Sequence, residues 1–119
     1  MSVHTIRLAG PWQLESATDA FRTRLPIECS RGASFRAARR FGRPGRLDDG
    51  ERVWLVIDGL SGEAEILLNE VPLELVDEAD GLRADITDEM TTDNWLSVRW
   101  KGDDPGGLAG PVWLECVSE

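Results

Sequence analysis

A chain of 119 residues, 41% hydrophobic and 29% charged, has the size of one globular domain. It can bury a two-layer core but is far too short for an enzyme barrel of about 250 residues. A net charge of −9 disfavours nucleic acid as a partner, and no apolar run approaches the roughly 18 residues of a membrane helix, so no membrane is expected either.

The opening MSVHTIRLAGPW lacks the basic leader and apolar run of a secretory signal, which predicts a cytoplasmic location. TIRL and WQLE then flank a Gly10-Pro11 break and read as short strands, followed by a shorter candidate in RLPIE. The charge is split along the chain. Between Ala20 and Leu47 there are eight arginines and one acid, Glu28, whereas Asp48 to Glu119 carries nineteen acids. Arg36, Arg39, Arg40, Arg43 and Arg46, with Phe35 and Phe41, have the composition of a nucleic-acid patch. The expectation is instead that this basic strand, in which Phe35, Ala37, Arg39 and Phe41 alternate with their neighbours, pairs across a sheet with acidic strands.

From Arg52, RVWLVID sets Val53, Leu55 and Ile57 against Trp54, Val56 and Asp58. AEILLN repeats the pattern with Ala64, Ile66 and Leu68 on one side, and the intervening GLSGE predicts a hairpin between the two runs. After a short candidate in VPLEL, the polar stretch DITDEMTTDN predicts one helical turn closing an end of the domain. Thr87 would cap that turn, and Ile86 and Met90, four apart, would both face the core. NWLSVRW then points Leu96, Val98 and Trp100 inward, and PVWLECV does the same with Val112, Leu114 and Cys116. No stretch of ten residues carries an apolar stripe at helical spacing. The chain therefore reads as one all-β domain over residues 1–119, an antiparallel β-sandwich.

Chemistry-bearing motifs are sparse. Cys29 and Cys116 are expected as free thiols, and the single histidine, His4, reads as a strand residue; no metal site and no cofactor are predicted from them. Asp77-Glu78-Ala79-Asp80-Gly81 has oxygen ligands suited to calcium but no EF-hand spacing, and reads as a solvated turn. GDDPGGLAG lacks the context and lysine of a phosphate loop.

The order of these elements resembles the N-terminal sugar-binding domain of family 2 glycoside hydrolases, the β-galactosidase and β-glucuronidase group. The similar parts are the turn Ile57-Asp58-Gly59-Leu60, a strand ending at Asn69, the turn Asp85-Ile86-Thr87, the strand from Asn94 through Leu96 to Val98, and the closing Gly107 to Leu114. They cover roughly Ile6 to Val117. The resemblance implies a galactose-binding-like jelly roll. It implies no catalytic residues, because the family's acid and nucleophile reside on a separate barrel domain. Two departures stand out: the family's Asn-Gly turn is Asn69-Glu70 here, and the family's longer glycine- and aromatic-containing connection before Asp-Ile-Thr is only VPLELVDEADGLRA.

The expected function is a stand-alone, non-catalytic binding module whose partner is a carbohydrate; the alternative is an interaction domain that keeps the fold and binds a protein. Sugars stack on exposed aromatics beside planar polar groups. By alternation Trp54, Trp95 and Trp113 point away from the main apolar set, so they are candidate ligand-binding residues, Trp95 foremost, with Asn69 and Asp77 as polar candidates.

Overall fold

A computed structural model describes residues 2–16, 19–29, 35–44, 50–79 and 81–118. Its strands are β1 (Ser2–Arg7), β2 (Trp12–Ser16), β3 (Ala20–Thr23), β4 (Ile27–Cys29), β5 (Phe35–Gly42), β6 (Arg52–Ile57) and β7 (Leu60–Ser61). They continue with β8 (Ala64–Leu68), β9 (Val71–Pro72), β10 (Val76–Glu78), β11 (Gly81–Asp85), β12 (Asp93–Trp100), β13 (Gly106–Leu108) and β14 (Val112–Ser118). The described residues contain no helix. One sheet has the order β1-β14-β6-β11-β10 and a second β3-β2-β5-β12-β8-β9, while β4-β13-β7 forms a small third ladder. Every pairing is antiparallel. The molecule is an all-β sandwich, as its alternating sequence predicts.

The core forms where the inner faces of the two large sheets meet. Val53, Leu55 and Ile57 of β6 and Val112 and Leu114 of β14 join Leu96, Val98 and Trp100 of β12, Ile66 and Leu68 of β8, and Trp12 and Leu14 of β2. Each fully buried side chain of this kind contributes roughly 1.5–3 kcal/mol relative to exposure. The buried indoles keep their N–H groups satisfied: Trp12 Nε1 donates to the Leu8 carbonyl at 2.8 Å and Trp100 Nε1 to the Ser61 carbonyl at 2.9 Å.

The expected hairpin between β6 and β8 does not form. The two strands lie in different sheets, and the chain crosses between them through β7, with Gly59 (φ 72°) and Gly62 (φ 82°) in the left-handed region. Alternation identifies a buried face but not the sheet to which it belongs, and two glycines serve a crossing as well as a turn. The acidic run from Asp77 to Gly81 spans the tip of a hairpin, with Gly81 at positive φ. Gly81–Asp85 is an internal strand, β11, pairing with β6, and Asp77 lies on its edge partner β10. Asp80 falls outside the described residues.

The closing turn forms as predicted, with Glu89 and Met90 N–H groups donating to the Ile86 carbonyl, Ile86 fully buried and Met90 nearly so. Its cap, however, is Asp85, not Thr87. Asp85 Oδ1 accepts from the Thr87 N–H at 3.0 Å and from the Thr87 hydroxyl at 2.7 Å, while Thr87 Oγ1 accepts the Val53 N–H at 2.8 Å. Thr87 thus ties the turn to β6. Arg52 reaches the other Asp85 oxygen at 2.8 Å.

Candidate functional site

The outer face of the six-stranded sheet carries the clearest concentration of functional side chains. Across β3, β2, β5 and β12 the register brings Arg22 beside Gln13, Gln13 beside Ala38, Ala38 beside Ser97, and Arg40 beside Trp95. Cross-strand partners share a face, so these residues form one surface. Of the five tryptophans, Trp95 alone is well exposed, at 41%. Trp12 and Trp100 are buried, and Trp54 and Trp113 are half-buried.

Three contacts fix Trp95. The Arg40 guanidinium lies 5.4 Å from the ring centroid, a cation–π distance. The Trp95 backbone N–H donates to Asn69 Oδ1 at 2.9 Å, and the Asn69 backbone N–H donates back to the Trp95 carbonyl at 2.9 Å. Asn69 Nδ2 also donates to Oδ1 of fully buried Asn94, which in turn accepts the Thr91 N–H. The Asn69 side chain is thereby committed to the scaffold under Trp95.

Two shallow hollows meet at this tryptophan. The first, about 200 Å³, is bordered by Pro11, Trp12, Gln13, Arg22, Ala38, Arg39, Arg40 and Trp95. The second, about 380 Å³, shares Gln13, Ala38 and Trp95 and adds Glu15, Arg36, Glu70 and Ser97. Gln13 Nε2 donates to Glu15 at 2.7 Å; Arg36 pairs with Glu70 and donates to Ser97 Oγ at 3.0 Å. Glu70 occupies a strained position. The two-residue β8–β9 turn places Asn69 at φ 53° and Glu70 at φ 68°, the geometry for which Asn-Gly is favoured. The departure from Asn-Gly noted in the sequence therefore puts a carboxylate into the second hollow.

The basic segment is only partly neutralised. Of its described arginines, Arg22, Arg24, Arg36, Arg39, Arg40 and Arg43, only Arg36 pairs with a carboxylate among the described residues. The register explains this, because Arg40 faces Trp95 and Arg39 faces Leu96, where acids were expected. Arg39 points inward with Ala37 and Phe41, and its Nε and Nη1 are buried without a hydrogen-bond partner among the described residues. Burial lowers its pKa. Arg31 and Arg46 lie outside the described residues.

Trp54, Trp113 and Asp77 belong to the opposite sheet. The Arg83 guanidinium sits 5.7 Å from the Trp54 centroid and donates to Glu115 Oε1 at 2.8 Å, while Trp113 Nε1 donates to Glu115 Oε2 at 3.0 Å. The Arg83 hydrogen bond, opposed by burial and aided by Trp113, holds Glu115 below its ordinary pKa. This network accounts for both indoles and covers Val56, which alternation points outward but which is buried. Asp77 is exposed on the edge strand. Arg22 escaped the sequence reading because β3 is four residues long and mostly exposed, too weak an alternation to mark a strand.

Elsewhere the reactive groups are quiet. Cys29 is buried and its thiol is pushed up to about 11 by that burial; Cys116, also free, is raised for the same reason. Among the described residues no group of three or more His, Cys, Asp or Glu side chains is placed to hold a metal.

The sandwich and its topology are those of a domain found within glycosidases. It superimposes on part of an FMN-binding β-glucuronidase from Facaelibacterium prausnitzii L2-6, with a TM-score of 0.78 and 22% identity, covering 98% of this chain and 23% of that one. A putative β-galactosidase from Bacteroides fragilis matches at TM-score 0.72 and 16% identity, over 99% of this chain and 24% of that one. A rhamnosidase from Novosphingobium sp. PP1Y matches at 0.72 and 19%, over 98% and 15%. The chain thus spans a quarter or less of each of these structures. No protein-family model matches the sequence, and no curated protein matches it.

Proposed function

We propose that the chain is a non-catalytic carbohydrate-binding module and that it binds through the outer face of the six-stranded sheet. The observation that carries this reading is Trp95: the one well-exposed tryptophan, its ring against Arg40 and its backbone held by Asn69, placed where two polar hollows meet. An exposed indole offers an apolar platform to a sugar ring, and Gln13, Glu15, Arg36 and Glu70 supply the polar groups that orient hydroxyls, with buried Ser97 accepting from Arg36 beneath them. The fold supports the reading, since the structures that share it are glycosidases in which a region of this size is a minor part. Strain at Glu70 supports it as well, because residues held in sparsely populated backbone conformations cluster at binding sites.

The competing protein-interaction reading calls for a contiguous apolar patch. Among the described residues, the exposed large apolar side chains apart from Trp95 are Val3, Phe21, Val71 and Val76, one on each of the edge strands β1, β3, β9 and β10. Calorimetric titration with a panel of methyl glycosides tests the proposal. Binding at millimolar concentration should weaken about tenfold in Trp95→Ala, the order expected for losing one aromatic platform, without a change in unfolding midpoint. Equal binding by Trp95→Ala would refute the assignment of the face.

A further inference from the structure

The groove is segregated by charge. Three arginines border the first hollow: Arg39, whose Nε and Nη1 are buried, and Arg22 and Arg40 on the outer face, which lack a carboxylate partner among the described residues; no acid borders that hollow. This occurs in a chain that carries 22 acids against 13 basic residues. On the same and the opposite sheet, Arg36, Arg52, Arg83 and Arg99 are all ion-paired with glutamate or aspartate. Arg22 and Arg40 therefore converge on one concavity as two available guanidinium groups, each presenting N–H donors in the planar fork that matches an oxyanion. The second hollow, on the other side of Trp95, contains Glu15, Glu70 and Arg36, which suits hydroxyls and disfavours a second anion.

We infer that the groove selects an acidic saccharide, with the sugar ring on Trp95, neutral hydroxyls toward Glu15, Arg36 and Glu70, and a ring-borne oxyanion in the hollow bordered by Arg22 and Arg40. This rests on the carbohydrate-binding reading above and specifies the ligand's charge. A hollow of about 200 Å³ holds an oxyanion and part of a ring, whether the anion is a uronate carboxylate or a sulfate ester. Arg40 has two roles in this arrangement, pinning the indole and facing the anion. Arg22, exposed on the edge strand β3, contributes charge alone.

The test is a titration of the intact chain with four probes: methyl glucoside, methyl glucuronide, glucose 6-sulfate and inorganic sulfate. At least one acidic sugar should bind about tenfold or more tightly than the neutral glucoside, and the better of the two identifies the oxyanion. That advantage should shrink as salt rises from about 50 to about 500 mM. Arg22→Gln should remove most of that advantage, weakening the acidic sugars far more than the neutral one, and Arg22→Lys should restore part of it. Trp95→Ala should weaken acidic and neutral sugars alike. Equal binding of neutral and acidic sugars, indifferent to Arg22→Gln, would overturn the charge selection and leave the saccharide reading intact. Sulfate alone binding as tightly as the acidic sugars, indifferent to Trp95→Ala, would mean an adventitious anion site and overturn it too. Binding of no sugar at all would overturn both.

Discussion

Arg39 and Glu70 are the two side chains whose positions cost the fold most visibly. The buried Nε and Nη1 of Arg39 have lost water and gained no partner among the described residues, a situation worth about 1–3 kcal/mol of destabilisation per group left unsatisfied. Arg39→Met, which keeps the length and removes the donors, is expected to raise stability by about 1 kcal/mol in urea unfolding. A clear loss of stability would show that the guanidinium has a partner, such as ordered water. Glu70 sits at φ 68°, where a side chain costs about 1–2 kcal/mol relative to glycine. Its mostly exposed ion pair with Arg36 returns little. Glu70→Gly should therefore be at least as stable as the parent in the same assay, yet bind sugar more weakly; unchanged binding would remove Glu70 from the site. Ile86, fully buried beneath the closing turn, gives the opposite expectation: Ile86→Ala should cost roughly 2–5 kcal/mol.

The Asp85 turn and the β6–β11–β14 region show how local chemistry secures the strands. Burial pushes the Asp85 pKa up, but hydrogen bonds from Arg52 and Thr87 outweigh it and hold the carboxyl below its ordinary value; Glu115 is depressed by Arg83 and Trp113. A carboxylate with a lowered folded-state pKa contributes stability that is fully present above its unfolded value and lost as pH falls through the folded one. Urea midpoints should thus be flat from neutral pH to about 5 and decline below about 4, in the range of ordinary carboxylate values. Asp85→Asn and Glu115→Gln should each flatten part of that decline. Much of this architecture was readable in the alternation: the inward sets of β6, β12 and β14, and the pair Ile86 and Met90, lie where period-two and one-turn spacing put them. Sheet membership was not readable. The inner faces of β6 and β8 are equally apolar, and β11 is a short run of Leu82, Arg83 and Ala84 that only its neighbours make a strand. The cap passed from Thr87 to Asp85 because a carboxylate two residues earlier accepts the turn N–H, which frees the threonine hydroxyl to bridge to Val53.

Over the whole molecule, the two outer faces have been treated differently. On the five-stranded sheet, Trp54 and Trp113 are engaged by Arg83 and Glu115, and Trp54 and Arg83 border a hollow of about 580 Å³ with Val76, Glu78 and Ala79. On the six-stranded sheet, Trp95 remains open between hollows of unlike charge. The sequence indicated Trp95 through alternation alone; it held no signal for the convergence of Arg22, Gln13, Ala38 and Ser97, which depends on the non-local order β3-β2-β5-β12. The direct measurement is an amide chemical-shift map of the chain during titration with acidic and neutral methyl glycosides. Saturable shifts should cluster at Gln13, Arg22, Ala38, Arg40, Glu70, Trp95 and Ser97. Shifts clustered instead around Trp54, Asp77 and Trp113, or none at millimolar sugar, would contradict a saccharide site on the six-stranded face.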